Sequence, residues 1–191
     1  MNPERMPLEA LRAELLREPA AQARICSDAG GLPYASDQGE VRSLLEHRLC
    51  IAREILLRAA YEDVVGRSAM DSPKAAREYF RLHFATLPYE VFLIAYLDSQ
   101  RRVIAIEEAF RGTVTQTSVY PREIVRRSLH HNATAIIASH QHPSGAAEAS
   151  RADEVLTVAL RQALGLVDVK LLDHLVFAAG EFLSFAERGL I

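Results

Sequence analysis

The stretch Val91-Phe92-Leu93-Ile94-Ala95-Tyr96-Leu97 is apolar without a break and is bounded by turn residues. A run of that kind suits a strand buried on both faces, so the chain must supply layers above and below it. The neighbouring pattern does so. Arg102 to Phe110 reads as a second strand, and Tyr120-Pro121 opens a helix reaching about His131 and Asn132. Ala133 to Ala138 is another short buried strand. Ser150 to Leu164 is a helix stopped by Gly165. Val167, Val169 and Leu171 alternate with Asp168 and Lys170 as a half-exposed strand, and His174–Ala178 with Phe182–Phe185 forms a hairpin turning at Gly180. The expected class is α/β, a mixed sheet flanked by helices.

The period differs upstream. Residues 1–71 read as an N-terminal helical segment and linker, and residues 72–191 as the sheet domain. Leu8, Leu11, Leu15 and Leu16 form one stripe, and a loop at Gly30-Gly31-Leu32-Pro33 follows. Asp37 and Glu40 have capping-box spacing for a second helix. That helix carries Val41, Leu45, Leu49, Ala52, Leu56 and Ala59 at the spacing of a buried face. Glu62 to Asp71 is polar, as a linker would be, and Ser72 before Pro73 signals the start of another helix.

Composition excludes several classes. An apolar fraction of 49% with 25% charged residues is that of a folded globular protein, not a disordered chain. The net charge of −3 removes the simplest argument for nucleic-acid binding, a strongly basic surface. No apolar run is long enough to span a bilayer, and the charged start lacks a signal-peptide apolar region. The two cysteines, Cys26 and Cys50, exclude a disulfide scaffold and a zinc finger and read as small buried apolar residues. A soluble, cytoplasmic protein without membrane contact is the expectation.

Chemistry concentrates between Ser139 and Asp153. His140 and His142 are two apart at a strand end, so both rings project from one face. Pro143 ends the strand, Gly145 frees the following loop, Ser150 opens the next helix and Asp153 lies one turn in. Two imidazoles and one carboxylate are the ligand set of an open tetrahedral zinc site. Each half has a plainer reading: a His-x-His pair is often incidental, and Ser-x-x-Asp caps many helices.

The combination, His-x-His, seven residues, then Ser-x-x-Asp, resembles the JAMM signature of MPN/JAB-domain metalloproteases, and its surroundings resemble the RadC-type branch of that superfamily. The supporting strings are Glu90-Val91-Phe92, Phe110-Arg111-Gly112-Thr113, Tyr120-Pro121-Arg122-Glu123, His142-Pro143-Ser144-Gly145 and Asp173-His174. The resemblance spans residues from about 73 to 187 and implies a JAB/MPN, cytidine-deaminase-like fold. It implies a zinc-dependent hydrolase of peptide or isopeptide bonds with a peptide or protein substrate. His140, His142 and Asp153 would hold Zn2+, Ser150 would hydrogen-bond the oxyanion, and Glu90, directly before the first core strand, would be the general base. Glu107, Glu108 and Glu123 are the competing carboxylates. Gln141, where the branch commonly shows Asn, is expected to face away from the metal.

Longer members of the family carry glycine-containing helical hairpins that touch DNA, and residues 1–70 lack that pattern. A DNA-repair or mobile-element-associated factor, binding nucleic acid or a protein partner, is the alternative. The remaining polar residues have plain expectations. Asp173-His174 is structural, His130 and His131 end a helix, His47 and His83 lie in helical stretches, and Arg122, Arg126 and Arg127 form a solvated basic helix side.

Overall fold

The computed structural model describes residues 2–17, 35–68, 73–85, 87, 89–112, 119–142, 145, 148–178 and 180–191. The chain divides into two compact units, Met1–Ala59 and Ala60–Ile191. That division falls ahead of the 71/72 boundary expected from the sequence. Cys26, the Gly30–Pro33 loop, Ser72, Thr113, Pro143 and Ser144 lie outside the described residues, as do the side chains of Asp37, Glu40 and Val41.

The first unit holds a short 3-10 turn at Pro3–Arg5, helix α1 at Leu8–Leu16 and most of helix α2 at Ala35–Val64. Leu11 and Ile51 are fully buried, but Leu45, Leu49 and Leu56 are more than half exposed. The expected buried face of α2 is therefore turned outward, and Cys50 is exposed too, against expectation. The reason is an anchor one stripe around the helix. The Arg58 guanidinium donates to the carbonyls of Met6 (2.7 Å) and Glu4 (3.1 Å) and is held by Glu54 (2.7 Å). Ile51, Ile55 and Arg58 share a stripe, so fixing Arg58 turns Ile51 inward and the leucines out.

In the second unit, residues 62–68 are not a linker. Helix α2 runs to Val64, and Val65 and Ser68 then bridge to Val103 and Arg102. Helix α3 follows at Pro73–Phe84. Strands β1 (Val91–Leu97), β2 (Val103–Arg111), β3 (Ala135–Gln141), β4 (Lys170–Ala178) and β5 (Glu181–Ser184) form one sheet in the order β2-β1-β3-β4-β5. The pair β3–β4 is parallel and the others are antiparallel, so the sheet is mixed as expected. The parallel pair is joined by helix α5 (Arg151–Gly165), which crosses over the sheet beside helix α4 (Pro121–His130).

All seven residues of β1 are buried. Phe92, Ile94 and Tyr96 pack with Ile124 of α4 and with Leu160 and Leu164 of α5 in one cluster. Phe80 and Phe84 of α3 contact Phe177 of β4, with ring centroids 6.3 and 5.5 Å apart.

One irregularity matters for the site. Ile136 and Ile137 of β3 face Leu171 and Asp173 of β4, leaving Leu172 as an extra residue. Such a bulge reverses which face the following side chains occupy. It places His174 opposite Ala138, on the face that carries His140. The strand expected at Val167–Leu171 is mostly a turn, through residues 166–168, and strand structure starts at Lys170 and runs through the expected His174–Ala178 segment as the single β4.

Candidate metal centre

Strands β1 and β3 are antiparallel neighbours with Phe92 opposite His140. Two residues beyond that pair on each strand lie Glu90 and His142, on the same face because side chains alternate. A Glu90 carboxylate oxygen and one nitrogen from each of His140 and His142 all lie within 4.8 Å of one another. Helix α5 brings the fourth group. His140 Nε2 lies 3.1 Å from one Asp153 oxygen and His142 Nε2 lies 3.3 Å from the other. The two ring nitrogens are 3.0 Å apart. His140, His142, Asp153 and Glu90 thus converge, and they do so largely out of solvent, with His140 1% and Asp153 8% exposed.

Ser150 closes the start of α5 with a reciprocal cap. The Asp153 N–H donates to Ser150 Oγ (3.2 Å), and the Ser150 N–H donates to Asp153 Oδ2 (2.8 Å). The Ser150 hydroxyl donates to the same Oδ2 at 2.6 Å. The capping reading of Ser-x-x-Asp is therefore realised, and the same contacts fix the carboxylate that faces the histidines. Burial disfavours ionising Asp153, but hydrogen bonds from His140, His142 and Ser150 outweigh it and hold its carboxyl well below the ordinary range.

Behind His140 lies a polar chain through His174, which the sequence predicts to be structural, and Thr157, which no motif marks. His140 Nδ1 is 2.9 Å from His174 Nε2, and His174 Nδ1 is 2.7 Å from Thr157 Oγ1. His174 has no exposed surface and sits 5.5 Å from the Phe92 ring and 4.9 Å from the Phe185 ring. That burial, with His140 and His142 nearby, pushes its pKa far below the usual histidine value despite the Asp153 charge.

Gln141 sits on the opposite face of β3 from His140 and is buried. Its amide NH2 donates to the Tyr89 carbonyl (2.6 Å) and its Oε1 accepts the Val91 N–H (3.1 Å). Those are the two backbone groups that flank Glu90, so the residue facing away from the cluster fastens the backbone that presents Glu90. Only its position inside the motif marks it in the sequence.

The competing carboxylates are engaged elsewhere. Glu107 pairs with His131 (2.9 Å) and Arg127 (3.2 Å), Glu108 with Arg111 (2.8 Å) and Glu123 with Arg126 (3.0 Å). Arg127 is not on a solvated face: it also reaches the Glu108 and Ala109 carbonyls. Beside His142 a cleft of about 390 Å3 opens, walled by Phe84, Leu87 and Phe177 with Arg81 at its margin.

The model of the RadC-like JAB domain matches residues 70–190, which include every residue of this cluster. This chain belongs to the RadC-like JAB domain family. Among its relatives, a UPF0758 protein of Acidovorax sp. is 45% identical over 193 residues, covering 95% of this chain and 81% of that protein. UPF0758 proteins of Variovorax paradoxus and Nitrosomonas eutropha are 54% and 57% identical over 138 residues. The matches cover 72% of this chain but only 61% and 62% of those two proteins.

The donor set of this RadC-like JAB domain fits a small divalent cation. Tetrahedral zinc with bonds of about 2.0–2.1 Å has neighbouring ligand atoms about 3.3 Å apart. The two ring nitrogens, 3.0 Å apart, are close to that edge, and each also meets its own oxygen of the Asp153 carboxylate, Oδ1 at 3.1 Å from His140 and Oδ2 at 3.3 Å from His142. As hydrogen bonds alone these contacts conflict. With the Asp153 carboxylate ionised, any placing of protons on the two facing ring nitrogens leaves at least one of the three contacts with two N–H groups or two lone pairs against each other. A cation shared by the two nitrogens and the carboxylate relieves the conflict.

Proposed function

We propose that this domain is a zinc-dependent hydrolase that cuts a peptide or isopeptide bond. The observation that carries the reading is the meeting of His140 Nε2 and His142 Nε2 with each other and with the two oxygens of the Asp153 carboxylate, contacts that suit one shared cation better than any placing of protons on the two rings beside an ionised carboxylate. In this reading His140, His142 and Asp153 would hold the metal at the position where they meet. A zinc ion held there supplies Lewis acidity and lowers the pKa of water to about 7.

The remaining roles belong to side chains around that position. Glu90, next to both histidines and set by the Gln141 clamp, accepts the proton of the attacking water and returns it to the leaving amine. Ser150 donates to the carbonyl oxygen as negative charge develops there, exchanging its present acceptor, Asp153 Oδ2, for the substrate. The cleft beside His142 receives an apolar side chain of the substrate against Phe84, Leu87 and Phe177.

The test is hydrolysis of internally quenched peptides and of isopeptide-linked lysine substrates by the full chain. Cleavage should stop on chelation, return with zinc, and be absent from His142→Ala. Cleavage that survives full removal of metal would overturn the reading.

A further inference from the structure

We propose that helix α2 is the contact of a two-fold dimer, in which its exposed leucine face lies antiparallel against the same face of a second copy of this chain. The contact uses no residue of the metal centre and stands apart from the hydrolase reading.

The face is a heptad seam. Leu45, Leu49, Ala52, Leu56 and Ala59 follow one another in alternating steps of four and three residues, which sets them in one stripe of the helix. Leu45, Leu49 and Leu56 are 55%, 69% and 55% exposed, and Ala59 is exposed as well. This stripe is not the one that holds the start of the chain. Arg48 donates to the Arg17 carbonyl, and Arg58 donates to the carbonyls of Met6 and Glu4, all on the neighbouring flank of α2. A continuous apolar stripe turned to water over about three helical turns marks a contact surface.

The charges beside the seam select both the partner and its direction. Glu46 and Arg53 lie one heptad apart on the flank away from Arg48 and Arg58. When two such helices run antiparallel, this flank meets itself in reverse. Glu46 then faces Arg53 of the second copy, and Arg53 faces its Glu46, so one two-fold axis makes two opposite-charge pairs. Glu46 already holds Arg42 at 3.0 Å on the surface, and the contact adds a second cation to it. The same register seats Leu49 beside Ala52 of the second copy, large against small at the centre, and Leu45 beside its Leu56.

A parallel pair fails on charge. There the flank of Arg53 meets the flank of Arg48, which sets two guanidinium groups against each other. A face that complements its own reverse is what an isologous contact requires. A foreign helix, or a segment of the same chain, needs no such symmetry.

The test is sedimentation equilibrium of the full chain, with reductant present because Cys50 is exposed. A short seam of this kind should give a dimer with a Kd of about 10 to 100 μM, so the protein is followed from about 1 to 500 μM. Leu49→Glu, at an exposed position, should leave only monomer over that range with an unchanged circular dichroism spectrum. Glu46→Arg and Arg53→Glu should each weaken self-association by about 10-fold. An equimolar mixture of those two variants should associate as wild type does, because both pairs across the axis are then opposite in sign. A wild type that stays monomeric throughout overturns the proposal and leaves the face to residues 18–34 of this chain or to another protein. A dimer that Leu49→Glu leaves intact overturns it too, and this variant decides the contact if Arg53→Glu does not fold. A mixture that associates no better than its components overturns the antiparallel pairing.

Discussion

Two histidine–carboxylate clusters lie on the same sheet, and they differ in what completes them. At the β2 edge, Glu107 meets His131 at 2.9 Å and Arg127 at 3.2 Å. At the β3 end, Asp153 meets His140 and His142, and these two are its ion-pair partners among the described residues. The first cluster contains its own permanent cation in the Arg127 guanidinium, and its Glu107 side chain keeps about a third of its exposure. The second has two titratable rings aimed at each other across 3.0 Å and is almost closed to water. A His–carboxylate contact is therefore weak evidence of a metal site. What distinguishes the centre is that its donors crowd one point while, among the described residues, no guanidinium or ammonium pairs with Asp153.

Predictions from this contrast can be ranked by size. Glu90→Gln should keep the metal and lower turnover by about 10² to 10⁴, whereas Glu107→Gln should leave turnover near wild type. The reverse outcome would move the base to the β2 edge and break the contrast. Ser150→Ala should lower turnover by about 10- to 10³-fold and stability by about 1 kcal/mol, since the residue serves both the substrate and the cap. Stability loss with full turnover would reduce Ser150 to the cap alone.

At the β2 edge the effects should be on stability only. Arg127→Met removes the resident cation and should cost about 1 kcal/mol by denaturant unfolding, with zinc content unchanged. The smallest effect is in pH dependence. Burial opposes ionisation of Glu107, but His131 and Arg127 together hold its pKa below the ordinary value of 4.5. A lowered folded pKa means that the pairing stabilises the fold above the unfolded value and is lost as pH falls through the folded one. The stability difference between wild type and Glu107→Gln should therefore shrink on acidification below that range. A difference that grows there would contradict the ion-pair account.

How much of this was legible in the chain depends on whether a local period carried it. Strand β1 was legible because its two buried faces make an unbroken apolar run. The placement of His140 and His142 on one face needed only strand alternation. Helix α2 misled because two stripes fit its apolar spacing, and the choice between them was made by Arg58 reaching carbonyls more than fifty residues away. Strand β4 read as two strands because the extra residue at Leu172 breaks the period of two. No local period marks His174 either: the same extra residue decides its face, and without the bulge it would point to the other side of the sheet. The clamp by Gln141 left no periodic signal at all, since it acts on backbone atoms of a strand fifty residues earlier.

The central claim is that the cluster on β3 and α5 is completed by a metal ion and the cluster on β2 and α4 by an arginine. Elemental analysis of the full chain, purified without added chelator, compares wild type with His142→Ala and Glu107→Gln. The account predicts about one zinc per chain in wild type and Glu107→Gln, and close to none in His142→Ala. Equal zinc in all three, or its loss from Glu107→Gln alone, would contradict it.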